Sequence, residues 1–220
     1  MVHLSNDGWL EGLTKEELQA VEEKGTFRSC RPRETVFYDG EKLTAYYLVV
    51  DGLISAYHQN SEGKKWVASL FSHGDLFPHV GLLNQARTYP ASAETITSGT
   101  LFRLSRKAMA EILSTYPSVR AHLEQFLTEK NQELMTRISD SVFGTASGRL
   151  AAFLRKLVEK SGVRQADGRY LLKLNMTEQD IAEYIGVTPE TVSRILRDLY
   201  DKRAAEKAGK GKLIIRPDRL

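Results

Sequence analysis

The stretch MTEQDIAEYIGVTPETVSRILRDL, residues 176–199, holds two helix starts and one enforced helix stop, which leaves few folds open to the chain. Thr177 with Asp180 three residues on is a capping-box variant, and Ile181, Ala182 and Ile185 then recur at helical spacing. Gly186 accepts the left-handed conformation that ends a helix. Thr188 is a second N-cap, Pro189 takes the first helical position where no hydrogen bond is lost, and Glu190 suits the positive end of the helix dipole. Val192, Ile195, Leu196 and Leu199 are the predicted buried face, while Glu190, Ser193, Arg194 and Arg197 follow helical spacing along the opposite face. Two short helices joined by a tight turn containing Gly form the DNA-binding helix–turn–helix pattern, whose second helix enters the major groove.

The chemistry of the exposed face suits that role. A carboxylate at 190 accepts from cytosine N4, and an arginine at 194 bonds guanine O6 and N7 together. Glu190, Ser193 and Arg194 are therefore the candidate base readers. Thr177, Thr188, Thr191 and Arg197, with the Lys202/Arg203 region, are candidate phosphate contacts through hydroxyls, helix N-termini and charge. Net charge divides the same way: residues 141–220 carry 16 Lys/Arg against 10 Asp/Glu, and residues 1–140 carry 15 against 18. A basic C-terminal third favours a polyanionic partner, here double-stranded DNA. The rival from another class is a ligand-binding or protein-interaction module whose winged helix no longer engages DNA. Steep salt dependence of duplex binding separates the two.

Residues 27–105 read differently, as short strands with glycines at 40, 52, 63, 74 and 81, the spacing of all-β barrels and rolls. Asp51-Gly52 between YYLVV and LISAY, and SEGK at 61–64, predict two hairpins. Thr14 and Glu17 open a short helix with a capping box. A further helix is expected from about Ser105 to Tyr116, and a long one from about Ser118 to Ser139, with no internal Gly or Pro. Leu127, Asn131, Leu134 and Ile138 along it suit a coiled-coil seam and so a homodimer; packing against its own domain would use the same positions. SDSVFGTASG, residues 139–148, reads as a hinge, the next segment to Lys160 as an amphipathic helix, and GKGKLIIRP, residues 209–217, as a glycine-bounded strand.

With these elements in place, the chain resembles the CRP/FNR superfamily of bacterial transcription regulators over nearly its whole length. DGLIS at 51–55, GDLF at 74–77, the long helix, SGRLAAFL at 147–154 and the helix–turn–helix carry the likeness. The resemblance implies an α+β fold in three parts. Residues 1–117 would be an effector-sensing, cyclic-nucleotide-binding-like β-roll, 118–140 a dimerisation helix, and 141–220 a winged helix–turn–helix. RNA polymerase is the further partner it implies. ETVSR at 190–194 looks like the Glu-x-x-Ser-Arg pattern of FNR-type members, which implies TTGA-like half-sites in an inverted repeat. Pro189 stands where the cyclic-AMP-receptor type has an arginine.

The sensor departs from the family. GDLFPHVGLL at 74–83 has no Glu before Gly81, and Tyr89-Pro90-Ala91 stands where an Arg-Ser pair would cap a cyclic phosphate, with Arg87 out of register. A buried phosphate without a paired cation is costly, so cyclic AMP is not expected. Cys30 alone cannot supply the four ligands of an iron–sulfur cluster. His79 lies near the position of an axial haem ligand in one group of family members, which keeps a gas-sensing haem regulator as an alternative; a lone His beside Pro is more often structural. His3, His58, His73 and His122 show no metal spacing. Cys30 between Arg28 and Arg31 would be an activated thiol if exposed. The implied effector pocket, between roll and long helix, would draw on Phe77, His79, Leu83, Tyr89, Leu123 and Leu127; the same residues suit a filled core. No nucleophilic, carboxylate-pair or phosphate-loop motif points to an enzyme. No apolar run spans a membrane, the N-terminus does not read as a signal peptide, and one cysteine suits a reducing cytoplasm.

Overall fold

Local signals set most element boundaries. The computed structural model describes residues 3–80, 82 and 87–220, in two compact units, 1–133 and 134–220. In the first unit α1 (Lys15–Glu22) starts on the Thr14/Glu17 capping box. Eight strands follow: β1 (Gly25–Cys30), β2 (Thr35–Phe37), β3 (Ala45–Asp51), β4 (Ile54–Gln59), β5 (Lys65–Phe71), β6 (Leu76–Phe77), β7 (Ser92–Thr95) and β8 (Gly99–Ser105). They form two antiparallel four-stranded sheets, ordered β1-β8-β3-β6 and β2-β7-β4-β5. This is the cyclic-nucleotide-binding-type β-roll. Its core takes Phe102 and Leu104 from one sheet, Phe37, Ile54 and Phe71 from the other, and Met109, Ile112, Val119 and Leu123 from the helices that follow. Those helices are α2 (Arg106–Thr115), capped by the Ser105 hydroxyl, and α3 (Pro117–Phe143).

Two expectations need correction. SEGK does close a hairpin between β4 and β5, but Asp51-Gly52 does not close one. β3 pairs with β8 and β6, β4 with β5 and β7, so the chain changes sheets at Gly52, at φ 99°. Beyond the glycine, the Leu53 amide bonds Thr97 Oγ1 at 2.9 Å and its carbonyl accepts from Ile96 at 2.8 Å, instead of folding back on β3. The predicted hinge is also mostly helix. α3 continues to Phe143 and α4 (Ala146–Ser161) begins at once, leaving only Gly144 and Thr145 between them. Thr145 is itself an N-cap, accepting from the Gly148 amide at 3.0 Å, so the break between the two helices narrows to Gly144 and Thr145.

In the second unit, α4 is followed by β9 (Val163–Arg164), β10 (Tyr170–Lys173), α5 (Glu178–Ile185), α6 (Pro189–Asp201), β11 (Ala205–Lys207) and β12 (Lys212–Ile215). The strands make one small antiparallel sheet ordered β11-β12-β10-β9. Leu150, Phe153, Leu154, Ile181, Ile185, Val192, Ile195 and Leu196 are all buried, whereas Leu199 is only half-buried. Helix pair, sheet and hairpin together are a winged helix–turn–helix. Among the described residues no helix is long and apolar enough to cross a membrane.

Candidate nucleic-acid interface

Local chemistry builds the reading head. Thr177 accepts from the Asp180 amide at 3.2 Å, while the Thr177 amide and hydroxyl both donate to Asp180 Oδ2 at 2.7 Å. The hydroxyl proton of Thr177 is thus directed into the cap. Gly186 ends α5 at φ 71°, and its amide donates to Ala182. Thr188 then caps α6, its oxygen 3.4 Å from the Thr191 amide and 3.2 Å from the Thr191 hydroxyl.

On α6, burial of Val192, Ile195 and Leu196 turns Glu190, Arg194 and Arg197 fully outward, with Thr191 and Ser193 partly exposed beside them. The Glu190 carboxyl is held below the usual carboxylate range, first by its own backbone N–H and then by the Thr188 hydroxyl. It is therefore a fixed anion and a pure acceptor. Among the described residues, neither Arg194 nor Arg197 has a carboxylate partner, so both guanidinium groups keep their donors for something outside the chain. Sequence reasoning missed the cations of the wing. Between β11 and β12 the chain turns through Gly209 (φ 116°) and Gly211 (φ 67°), presenting Lys207, Lys210 and Lys212 to solvent. The alternation KAGKGK at 207–212 was the available signal.

A second feature missed from sequence fixes the head in place. The carbonyls that end a helix lack partners within it. Here Arg137 of α3 donates to the Tyr184 carbonyl at 3.0 Å and lies 4.1 Å from the Tyr184 ring centroid. Arg149 of α4 donates to the Ile185 carbonyl at 2.9 Å and to the Gly144 carbonyl at 3.1 Å. One guanidinium thus joins the end of α5 to the end of α3.

The Crp-like helix-turn-helix domain family matches residues 148–220, and the cyclic nucleotide-binding domain family matches residues 27–116. The chain belongs to the CRP/FNR superfamily. It is 25% identical over 179 residues to the cAMP-activated global transcriptional regulator CRP of Pasteurella multocida (strain Pm70), covering 81% of this chain and 84% of that one. Its fold is similar to that of FixK2 from Bradyrhizobium japonicum, with TM-score 0.78, 23% identity and coverage of 87% and 92%. It is also similar to a CRP/FNR-family transcriptional regulator from Thermus thermophilus, with TM-score 0.68, 23% identity and coverage of 87% and 93%. The chain is accordingly a CRP/FNR-type DNA-binding transcription regulator.

In the β-roll unit of this CRP/FNR chain, Phe77, Tyr89 and Leu123 are core residues. Phe37 stacks on Tyr89 with centroids 3.8 Å apart, and Tyr47 and Phe71 lie 5.5 and 5.2 Å from Phe77. The Tyr89 hydroxyl donates to the Ala45 carbonyl at 3.2 Å and accepts from its amide at 3.3 Å. Leu127 packs on the same core from α3, and Leu83 and Gly81 lie outside the described residues. His79 sits edge-on to Phe71 and Phe126, its buried Nδ1 without a partner. Burial first, then the Lys130 charge, pushes its pKa down to about 4, so the ring is neutral at physiological pH. Cys30 is not an activated thiol: it is buried, and desolvation raises its pKa against the weaker pull of Arg28, which is paired with Glu34. Among the described residues no group of three or more His, Cys, Asp or Glu is gathered to hold a metal.

Proposed function

We propose that this regulator acts as a homodimer that inserts α6 of each subunit into successive major grooves of an inverted repeat with TTGA-like half-sites. Glu190, Ser193 and Arg194 read bases. Thr188, Thr191, Arg197 and the first turn of α5 after Thr177 hold phosphates, joined by the wing lysines. The observation that carries this is the outward face of α6, where a fixed carboxylate and two unpaired guanidinium groups stand on a helix whose other face is buried. The dimer is supported by Leu134, Met135, Ile138 and Val142, which are 40–66% exposed along one stretch of α3. A two-fold dimer sets half-sites about one helical turn apart. The β-roll is the sensor, for an effector other than cyclic AMP: Pro90 and Ala91 offer a phosphate no cation, and RNA polymerase is the downstream partner.

Selection of bound oligonucleotides from a random pool tests the assignment and should return TTGA…TCAA. Arg194→Ala is expected to lower specific affinity by roughly 1–3 kcal/mol and to abolish discrimination at the guanine. A different selected core sinks the half-site. An equal loss on every sequence makes Arg194 a phosphate contact instead.

A further inference from the structure

An arginine without a carboxylate and a hydroxyl without a partner, facing one cleft, leave donors for a ligand. α2, the first turns of α3 and β3 leave a cleft of about 250 Å³ in the N-terminal unit. Its walls are aliphatic: Leu82, Met109, Ala110 and Leu113. Three polar side chains reach it: Tyr46 from β3, Arg106 from the start of α2, and Arg120 from α3. Among the described residues no carboxylate lines it.

Tyr46 lines the cleft, and among the described residues its hydroxyl has no hydrogen-bond partner and is not sealed from solvent. A hydroxyl open to the cleft keeps its proton and lone pairs for a ligand. Arg106 lines the same cleft as Tyr46, and its charge opposes the rise that burial gives the hydroxyl's pKa. Arg106 has no carboxylate partner among the described residues. Arg120 has only the exposed pair with Glu124 one turn along α3, at 3.1 Å, a contact that competes weakly.

We propose that this cleft is a binding site for a medium-chain aliphatic carboxylic acid, whose head lies between Arg106 and the Tyr46 hydroxyl and whose tail lies on Met109, Leu113 and Leu82. Two cations and a donor hydroxyl select an anion. The aliphatic walls select an unbranched apolar body, and the volume, below that of drug-sized sites, limits it to about ten non-hydrogen atoms. A nucleotide is too large. The cleft and its test involve no DNA, so the outcome is independent of the operator assignment above.

Calorimetric titration of the full chain with sodium octanoate, against 1-octanol, tests the site. One octanoate is expected per chain, with 1-octanol at least tenfold weaker. Arg106→Gln should weaken octanoate by about tenfold or more and Tyr46→Phe by about threefold, the usual spread between charged and neutral hydrogen bonds. Both variants should unfold near the wild-type temperature, because among the described residues the Tyr46 hydroxyl has no hydrogen-bond partner and Arg106 no carboxylate. Ala110→Trp fills the cleft from an exposed position and should abolish binding even if the arginine variant folds poorly. Absence of saturable binding, equal affinity for 1-octanol, or octanoate binding that survives Arg106→Gln or Ala110→Trp overturns the proposal.

Discussion

The ion pair between Lys130 of α3 and Asp75, in the turn before β6, permits a quantitative test of what joins the helix to the roll. Nζ and Oδ1 are 3.0 Å apart, and each side chain is only 9% exposed. Exposed pairs contribute about 0–1 kcal/mol, whereas removing one partner of a buried pair costs about 3–5 kcal/mol. Here both survivors keep company. Asp75 Oδ2 still accepts from the Ser72 amide at 2.9 Å and its hydroxyl at 3.3 Å. Lys130 still has Glu133 at 3.8 Å and the faces of Phe126 and Phe71 at 5.2 and 5.6 Å. The expected single costs therefore fall to about 2–3 kcal/mol for Lys130→Met and for Asp75→Asn. The double variant should lose about the same as either single, giving a coupling of about 2 kcal/mol. Both tryptophans, Trp9 and Trp66, lie in the N-terminal unit, so fluorescence-detected urea unfolding follows that unit alone. A coupling below about 0.5 kcal/mol would show that solvent screens the pair as it does a surface contact, and would refute the reasoning.

His79 has its folded pKa, about 4, below the unfolded value of 6.5, so the unfolded chain binds more protons between them. Stability from the neutral ring is therefore complete above about pH 6.5 and is lost as pH falls toward 4, by at most about 3 kcal/mol. His79→Leu should flatten that part of the wild-type profile, and parallel profiles would contradict the assignment. Arg149→Met deprives the Ile185 and Gly144 carbonyls of their donor and should cost the C-terminal unit about 1–3 kcal/mol, with faster amide exchange in α5 as the specific readout. Unchanged exchange in α5 would make Arg149 a mere surface cation. Leu134→Asp should give a monomer in sedimentation and weaken binding to the full palindrome but not to a single half-site. An intact dimer would move the interface away from α3.

What is legible in the sequence is chemistry that acts over a few residues. Thr177 with Asp180, Gly186, and Thr188 with Pro189 each fix a helix end through contacts within one turn, and the structure has all of them. The α6 face follows, because spacing alone decides which residues share a side. Asp51-Gly52 misleads because a positive φ permits either a hairpin or a change of sheet. The deciding contacts, with Thr97 and Ile96, lie more than 40 residues away. The expected hinge, residues 139–148, is too wide because a helix tolerates small polar residues when neighbouring elements support it, and only Gly144 and Thr145 stay outside the helices. Lys130 with Asp75, and Arg137 and Arg149 with the end of α5, leave no local trace: the arginine contacts span 47 and 36 residues.

Those two arginines also govern how the reading head is positioned. Arg137 lies on the same turns of α3 as Leu134 and Ile138, the exposed apolar positions of the proposed dimer face, and one helical step around from them. A partner packed against Leu134 and Ile138 would fix the rotation of those turns about the helix axis, and with it the direction of Arg137. Arg137 holds the Tyr184 carbonyl and ring, and Arg149 binds the ends of α3 and α5 with one side chain. The end of α5 leads through Gly186 and Val187 directly into the cap of α6. Within the proposed dimer, rotation of α3 would therefore reach the helix that carries Glu190 and Arg194 through two guanidinium groups of planar geometry. An effector that binds one rotational state of α3 better than the other would, by that difference alone, shift the spacing of the two reading helices.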